Sequence, residues 1–243
     1  MNLLQRVSLR TQFVVMLLVP LAGLIWFGME GVWSKHLLVG KMEDMAQLST
    51  FAVRVSALVH ETQRERGMTA GFLGSKGQKF RNELAEQRPG TETQSRRLRD
   101  TLAGFDPSRF GRALAEPLAN AMRRLDDLSA VRQRVDNLQI TGPEAIAHYT
   151  DMNSDFLRAT GEIAQLSVAE LSPMASSYVH FLLAKERAGI ERAVLSNTFA
   201  ADRFGPGMYR RFGELVSEQD TYLQMFQVQA PASQVAYFRS QMQ

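Results

Sequence analysis

FAVRVSALVHETQRERGMTAGFLGSKGQKF, residues 51–80, sets the fold. Apolar side chains recur through it at helical spacing, by way of Val53, Ala57 and Leu58, and strand-like alternation is scarce anywhere in the chain. The reading is all-α. Gly74, Ser75 and Gly77 punctuate this first long helix.

Downstream, a second helix is expected from about Phe80 to Leu102, with Pro89-Gly90 as an interruption. Asp106 and Pro107 have the chemistry of an N-cap and a first helical residue, and open a third helix reaching about Leu138. Thr141-Gly142-Pro143-Glu144 opens a fourth in the same way. Pro173 marks a break before a fifth that runs to about Ala201, and Phe204-Gly205-Pro206-Gly207 is a turn. A sixth helix to about Val228 and a last segment from Pro231 complete the series. Such helices pack most simply as an antiparallel bundle, or as two stacked four-helix bundles.

Upstream lies FVVMLLVPLAGLIWFGM, residues 13–29, which carries no charge. Extended to Trp33 it is long enough to span a bilayer. Arg6 and Arg10 precede it, whereas Glu30, Glu43 and Asp44 outnumber Lys35 and Lys41 after it. The positive-inside rule then places residues 1–12 in the cytoplasm, 13–33 in the membrane and 34–243 outside. Trp26 and Trp33 fall toward the far boundary. A cleaved signal peptide is the alternative, but the run exceeds the length of an h-region and no A-x-A site follows promptly. The expectation is a sensor region anchored in the bacterial inner membrane, with membrane lipid among its contacts. It would stop just before a second membrane helix.

The charge balance, 28 Lys and Arg against 25 Asp and Glu, is interspersed rather than striped, so nucleic acid is not an expected partner. With no cysteine, disulfides, thiol catalysis and Cys-ligated metal are excluded. His36, His60, His148 and His180 offer no paired metal spacing on one helix face. Gly67, Gly71, Gly74 and Gly77 lack the strand and the Gly-Lys-Ser/Thr ending of a phosphate loop, and fit close helix packing or a helix end better. No nucleophile elbow is present. Neither catalysis, a metal nor a cofactor is expected.

The arginines carry more. Arg64 can reach Glu61, and Arg187 can reach Glu191, on their own helices. Arg66 and Arg192 have no acid three or four residues away. Each follows a glutamate and precedes a small residue, in Glu65-Arg66-Gly67 and Glu191-Arg192-Ala193, which suggests a weak internal duplication. Small neighbours let another helix approach and bury a guanidinium, and a buried guanidinium needs a partner. A distant carboxylate in a structural ion pair is the commoner outcome. A bound anion, matched to the planar fork of arginine, is the second, and simple exposure the third.

VHETQRERGMTAGFLGSKGQKF, residues 59–80, and KERAGIERAVLSNTFAADRF, residues 185–204, resemble the two signature regions of the NIT domain. That helical sensor of nitrate and nitrite occurs in bacterial receptors and in a transcription antiterminator. The similarity runs from about Phe51 to Phe226. It implies that nitrate or nitrite is the ligand, held by arginines from separate helices. The matching positions are Arg66 and Arg192, with Arg64 and Arg187 as neighbours and Arg239 as the only arginine in the final segment. With the apolar run, the resemblance points to a homodimeric transmembrane receptor, foremost a chemotaxis receptor. The alternative is a structural, membrane-tethered bundle that binds another protein.

Overall fold

The computed structural model describes residues 9–166 and 172–242; Arg6, on which the orientation argument partly rests, lies outside them. The chain divides into two units, residues 1–47 and 48–243.

Within the first unit the described residues are helical from Leu9 onward. Met16–Trp33 has a mean hydropathy of 1.6 and no buried residue among those described. That length and apolarity suffice to cross a membrane, and a signal sequence passes the same test. Pro20 lies inside the helix without ending it.

The second unit is all-helical among its described residues. It holds the end of α1 (Leu9–Gly74), α2 (Arg81–Leu102), a 3-10 turn (Pro107–Phe110), α3 (Arg112–Asp126), α4 (Leu128–Asp136), α5 (Gly142–Leu166), α6 (Ser172–Ala201), α7 (Met208–Gln229) and α8 (Ala232–Gln241). The expected starts are visible as hydrogen bonds. Asp106 Oδ1 accepts from the Ser108 N–H at 3.0 Å, and Thr141 and Glu144 form a capping box in which Glu144 Oε2 accepts from the Thr141 N–H at 3.0 Å. Gly207, at φ +75°, supplies the left-handed residue that ends the turn before α7.

Two expectations about helix continuity fail. Pro89 does not interrupt α2, because the buried stripe Leu84, Gln87, Thr91, Ser95 and Leu98 holds both halves on one face and outweighs the missing backbone bond. The expected third helix is three pieces. Val53 also departs from the reading: it is exposed, and the buried stripe of α1 runs instead through Leu48, Phe51, Val55, Leu58 and Val59.

Side-chain partners fix the helix directions. Thr62 meets Asn153, Arg66 meets Thr150 and Glu65 meets Tyr149, so partner numbers fall along α5 as they rise along α1 and the two helices are antiparallel. Against α6, Gln63 meets Glu186, Gly67 faces Arg192 and Gly74 faces Asn197; the numbers rise together, and α1 and α6 are parallel. Asn153 with Glu186 and Gly161 with Val179 make α5 and α6 antiparallel. Arg88 with Asp136, Arg132 with Glu92 and Arg99 with Asp126 do the same for α2 against α4 and the end of α3.

The interior is layered along α1. At one end Phe51 stacks on Phe105 at 5.3 Å, and Phe105 on Phe110 at 5.3 Å. At the other, Phe72 packs with Leu84, Val131, Val135, Ile140 and Ala145. Between them the buried face of α1 turns polar, through Thr62, Gln63, Glu65, Arg66 and Thr69. The candidate site lies in this middle layer.

Candidate functional site

Glu65 and Arg66 are consecutive and both fully buried, and as helix neighbours about 100° apart they serve two different sets of partners. Glu65 accepts two hydrogen bonds from Arg132 of α4, at 2.6 and 2.8 Å, one from Thr91 of α2 at 2.8 Å and one from Tyr149 of α5 at 3.0 Å. Arg88 Nε stands 3.6 Å from the same carboxylate. Burial, seconded by the Glu65 charge, pushes the Tyr149 phenol far up, so it donates as a neutral hydroxyl. Burial alone would lower the Arg132 guanidinium, but its bonds to Glu65 prevail and raise it.

Arg66 looks to α6. Its Nη1 donates to Glu186 Oε1 at 2.5 Å and to Thr150 Oγ1 at 3.0 Å. The other Glu186 oxygen accepts from Gln63 Nε2 at 2.6 Å and from Asn153 Nδ2 at 3.5 Å, while Asn153 Oδ1 accepts from Thr62 at 2.6 Å. Arg66 Nε and Nη2 are buried and find no partner among the described residues. Unsatisfied N–H donors on a buried cation are costly, on the order of 1–3 kcal/mol or more each. The guanidinium thus offers one whole donor edge, two parallel N–H groups in a plane, to an acceptor from outside the helices.

Small residues permit this geometry. A Cβ at Gly189 would stand 2.8 Å from Arg66 Nη2, and a Cβ at Gly67 would stand 3.6 Å from Arg192 Nε. Each arginine therefore crosses the α1–α6 seam at a glycine of the other helix. The expectation of matched burial fails all the same: Arg66 is fully buried, whereas Arg192 is exposed and its side chain makes no hydrogen bond or ion pair among the described residues. The suspected duplication is not mirrored here either. Glu65 is buried against Arg132, while Glu191 is part-buried and accepts from Gln219 of α7.

Arg192 adds to a cationic rim. Burial lowers the Lys185 ammonium; the Glu186 and Glu61 charges act against this and the Arg192 charge adds to it. Burial likewise lowers His60, reinforced by Lys185, Arg64 and Arg192. Arg64 pairs with Glu61 as expected, at 3.2 Å and largely exposed. Arg187 does not reach Glu191; it pairs with Glu218 of α7 and lies over the Tyr222 ring, a partner from another helix that spacing along α6 cannot show. Arg239, on α8, bonds Gln227 at 3.1 and 3.2 Å. The structure thus brings Arg66 and Arg192 to one seam and gives Arg64, Arg187 and Arg239 partners of their own. Spacing along the sequence missed Glu186, Glu65, Arg132 and Tyr149. Glu65 and Glu186 stand in the two quoted motifs, but nothing in their spacing showed which arginine each would hold.

A helical bundle with a charged layer between apolar layers, and a buried cation left partly open, is the build of a ligand-sensing domain. The chain belongs to the Nitrate and nitrite sensing (NIT) family, which it matches over residues 57–243. It is 28% identical over 206 residues to the nitrate regulatory protein of Klebsiella oxytoca, an alignment covering 84% of this chain and 51% of that one. Its fold is similar to the structure of the NasR transcription antiterminator, with a TM-score of 0.80 and 26% identity, covering 91% of this chain and 59% of that one. The chain spans about half the length of the curated relative it matches.

These findings correct the functional expectation. The relatives are a nitrate regulatory protein and a transcription antiterminator, and neither is described as a membrane receptor or a chemotaxis protein. The transmembrane chemotaxis receptor and its inner-membrane location are overturned. An apolar run records what a segment avoids, water, without recording what covers it.

Proposed function

We propose that this chain is the nitrate- or nitrite-sensing part of a regulator, with the anion seated on the Nε–Nη2 edge of Arg66 and Arg192 closing over it as the second cation. The observation that carries the reading is the half-satisfied guanidinium of Arg66, fully buried and pinned at its Nη1 end by Glu186 and Thr150. Two oxygens of a planar anion match two parallel N–H donors, and an ammonium cannot reproduce that fork. The anion would bridge α1 and α6 and bias their relative position, which is what a ligand must do to shift an equilibrium between states. The similarity to two regulators supports an output of that kind.

Calorimetry and thermal melts with nitrate, nitrite and chloride test the reading. Wild type should bind nitrate or nitrite and ignore chloride at equal ionic strength. Arg66→Lys should weaken binding about ten- to a hundredfold, the equivalent of about 1.5–3 kcal/mol for a lost charge-assisted bond. The Arg66–Glu186 contact favours one rival, an arginine that is purely structural. On that reading Arg66→Lys melts well below wild type, and nitrate stabilises neither protein.

A further inference from the structure

We infer that Glu186 sets the valence of the anion this site accepts, admitting a singly charged oxyanion and rejecting a doubly charged one. The inference rests on the anion reading of Arg66 and adds to it a residue that faces away from the ligand edge.

Glu186 is buried and cannot turn aside. One oxygen holds Arg66 Nη1, and the other is held by Gln63 and Asn153. Its charge is therefore a fixed part of the site. On α1, Arg66 is cancelled by Glu186 and Glu65 by Arg132. On α5, the groups facing this pair are Thr150 and Asn153, which are neutral. On α6, Arg187 is occupied by Glu218. Glu186 and Glu65 are thus each paired before any ligand arrives, and Arg192 and Lys185 add positive charge at the rim, Lys185 itself coupled to Glu186 and Glu61.

A monovalent anion on the Arg66 edge adds one negative charge, which Arg192 can offset from across Gly67. A divalent anion meets twice the repulsion from the Glu186 carboxylate that a monovalent one does, away from water, where charges interact far more strongly than in solution. Glu186→Gln keeps the shape and the acceptor for Arg66 Nη1 and removes that negative charge. The anion-to-anion differences in shape are the same for both proteins, so a change in their ratio reports charge.

The test uses the full chain, with potassium nitrate and potassium sulfate titrated at matched ionic strength by calorimetry. Wild type should bind nitrate and discriminate against sulfate. E186Q should lose at least about tenfold of that nitrate-over-sulfate preference, a conservative share of one unit charge at close range. Glu186→Asp, which keeps the charge on a shorter side chain, should still reject sulfate. An unchanged or steeper preference in E186Q overturns the inference. So does sulfate binding by E186D, which remains informative should E186Q fail to fold. No nitrate or nitrite response from wild type sinks the anion reading itself, and the valence rule with it.

Discussion

Arg66 Nη2 lies where a side chain at residue 189 would begin, 2.8 Å from the position of a Cβ. The guanidinium has no room to yield, because its far nitrogen is pinned to Glu186 and Thr150. Gly189→Ala should therefore push the donor edge out of line. A methyl group forced into a packed seam costs about 1–3 kcal/mol. The expected result is a lower melting temperature and weakened nitrate binding, with helicity by circular dichroism retained. Unaltered binding would place the anion away from this edge.

Glu65 ties α1 to α2, α4 and α5 at once. Glu65→Gln leaves the Arg132 guanidinium half-buried without its main counter-charge, and breaking such a pair costs about 3–5 kcal/mol. Arg132 also pairs with Glu92, but Glu92 is largely exposed, so Glu92→Gln should cost no more than about 1 kcal/mol. Paired urea unfolding curves measure both. Similar midpoints for the two variants would contradict the layered burial described above.

The histidines give the fold a pH dependence of definite sign. Burial lowers His148, and the Arg124 charge adds to this; its Nε2 lies 3.0 Å from the Arg124 carbonyl oxygen, a contact in which the ring donates. A histidine of the unfolded chain, near 6.5, then binds protons more readily than folded His148. Stability from this source is complete above that pH and is lost as pH falls toward the folded value. His60, also lowered chiefly by burial, acts in the same direction. The lowered carboxylates Asp106 and Glu144 act only further down, since their ordinary values are 3.8 and 4.5. Melting temperature should drop between about pH 7 and 5, and His148→Gln should flatten part of that drop. A drop of equal size in the variant would assign it elsewhere.

Capping chemistry was plain in the sequence because it is local: Thr141 and Glu144 are three residues apart and bond each other. The break at Asp127 was not. Buried residues continue through it as Leu114, Leu118, Ala121, Leu125, Leu128, Val131 and Val135, so the helical period stays in step across the break between α3 and α4. The arginines divide in the same way. Arg64 found the neighbour its own helix offered, whereas Arg187 took Glu218 and Arg66 took Glu186, choices made by how helices meet. The family motifs named the right segments. They could not tell that one of the two aligned arginines is buried and the other exposed.

The polar stretch of α1 also dictates how the domain can respond. Thr62, Gln63, Glu65 and Arg66 dock onto partners in α2, α4, α5 and α6, and every partner is itself a directional donor or acceptor. Sliding α1 by a fraction of a turn would break most of these bonds together, at about 1–3 kcal/mol for each buried group left unmet. Such a layer behaves like the teeth of a key: intermediate positions do not fit, and only a position where the groups re-engage is populated. In a sensor built on it each molecule would switch between discrete settings, and ligand would change the share of molecules in each.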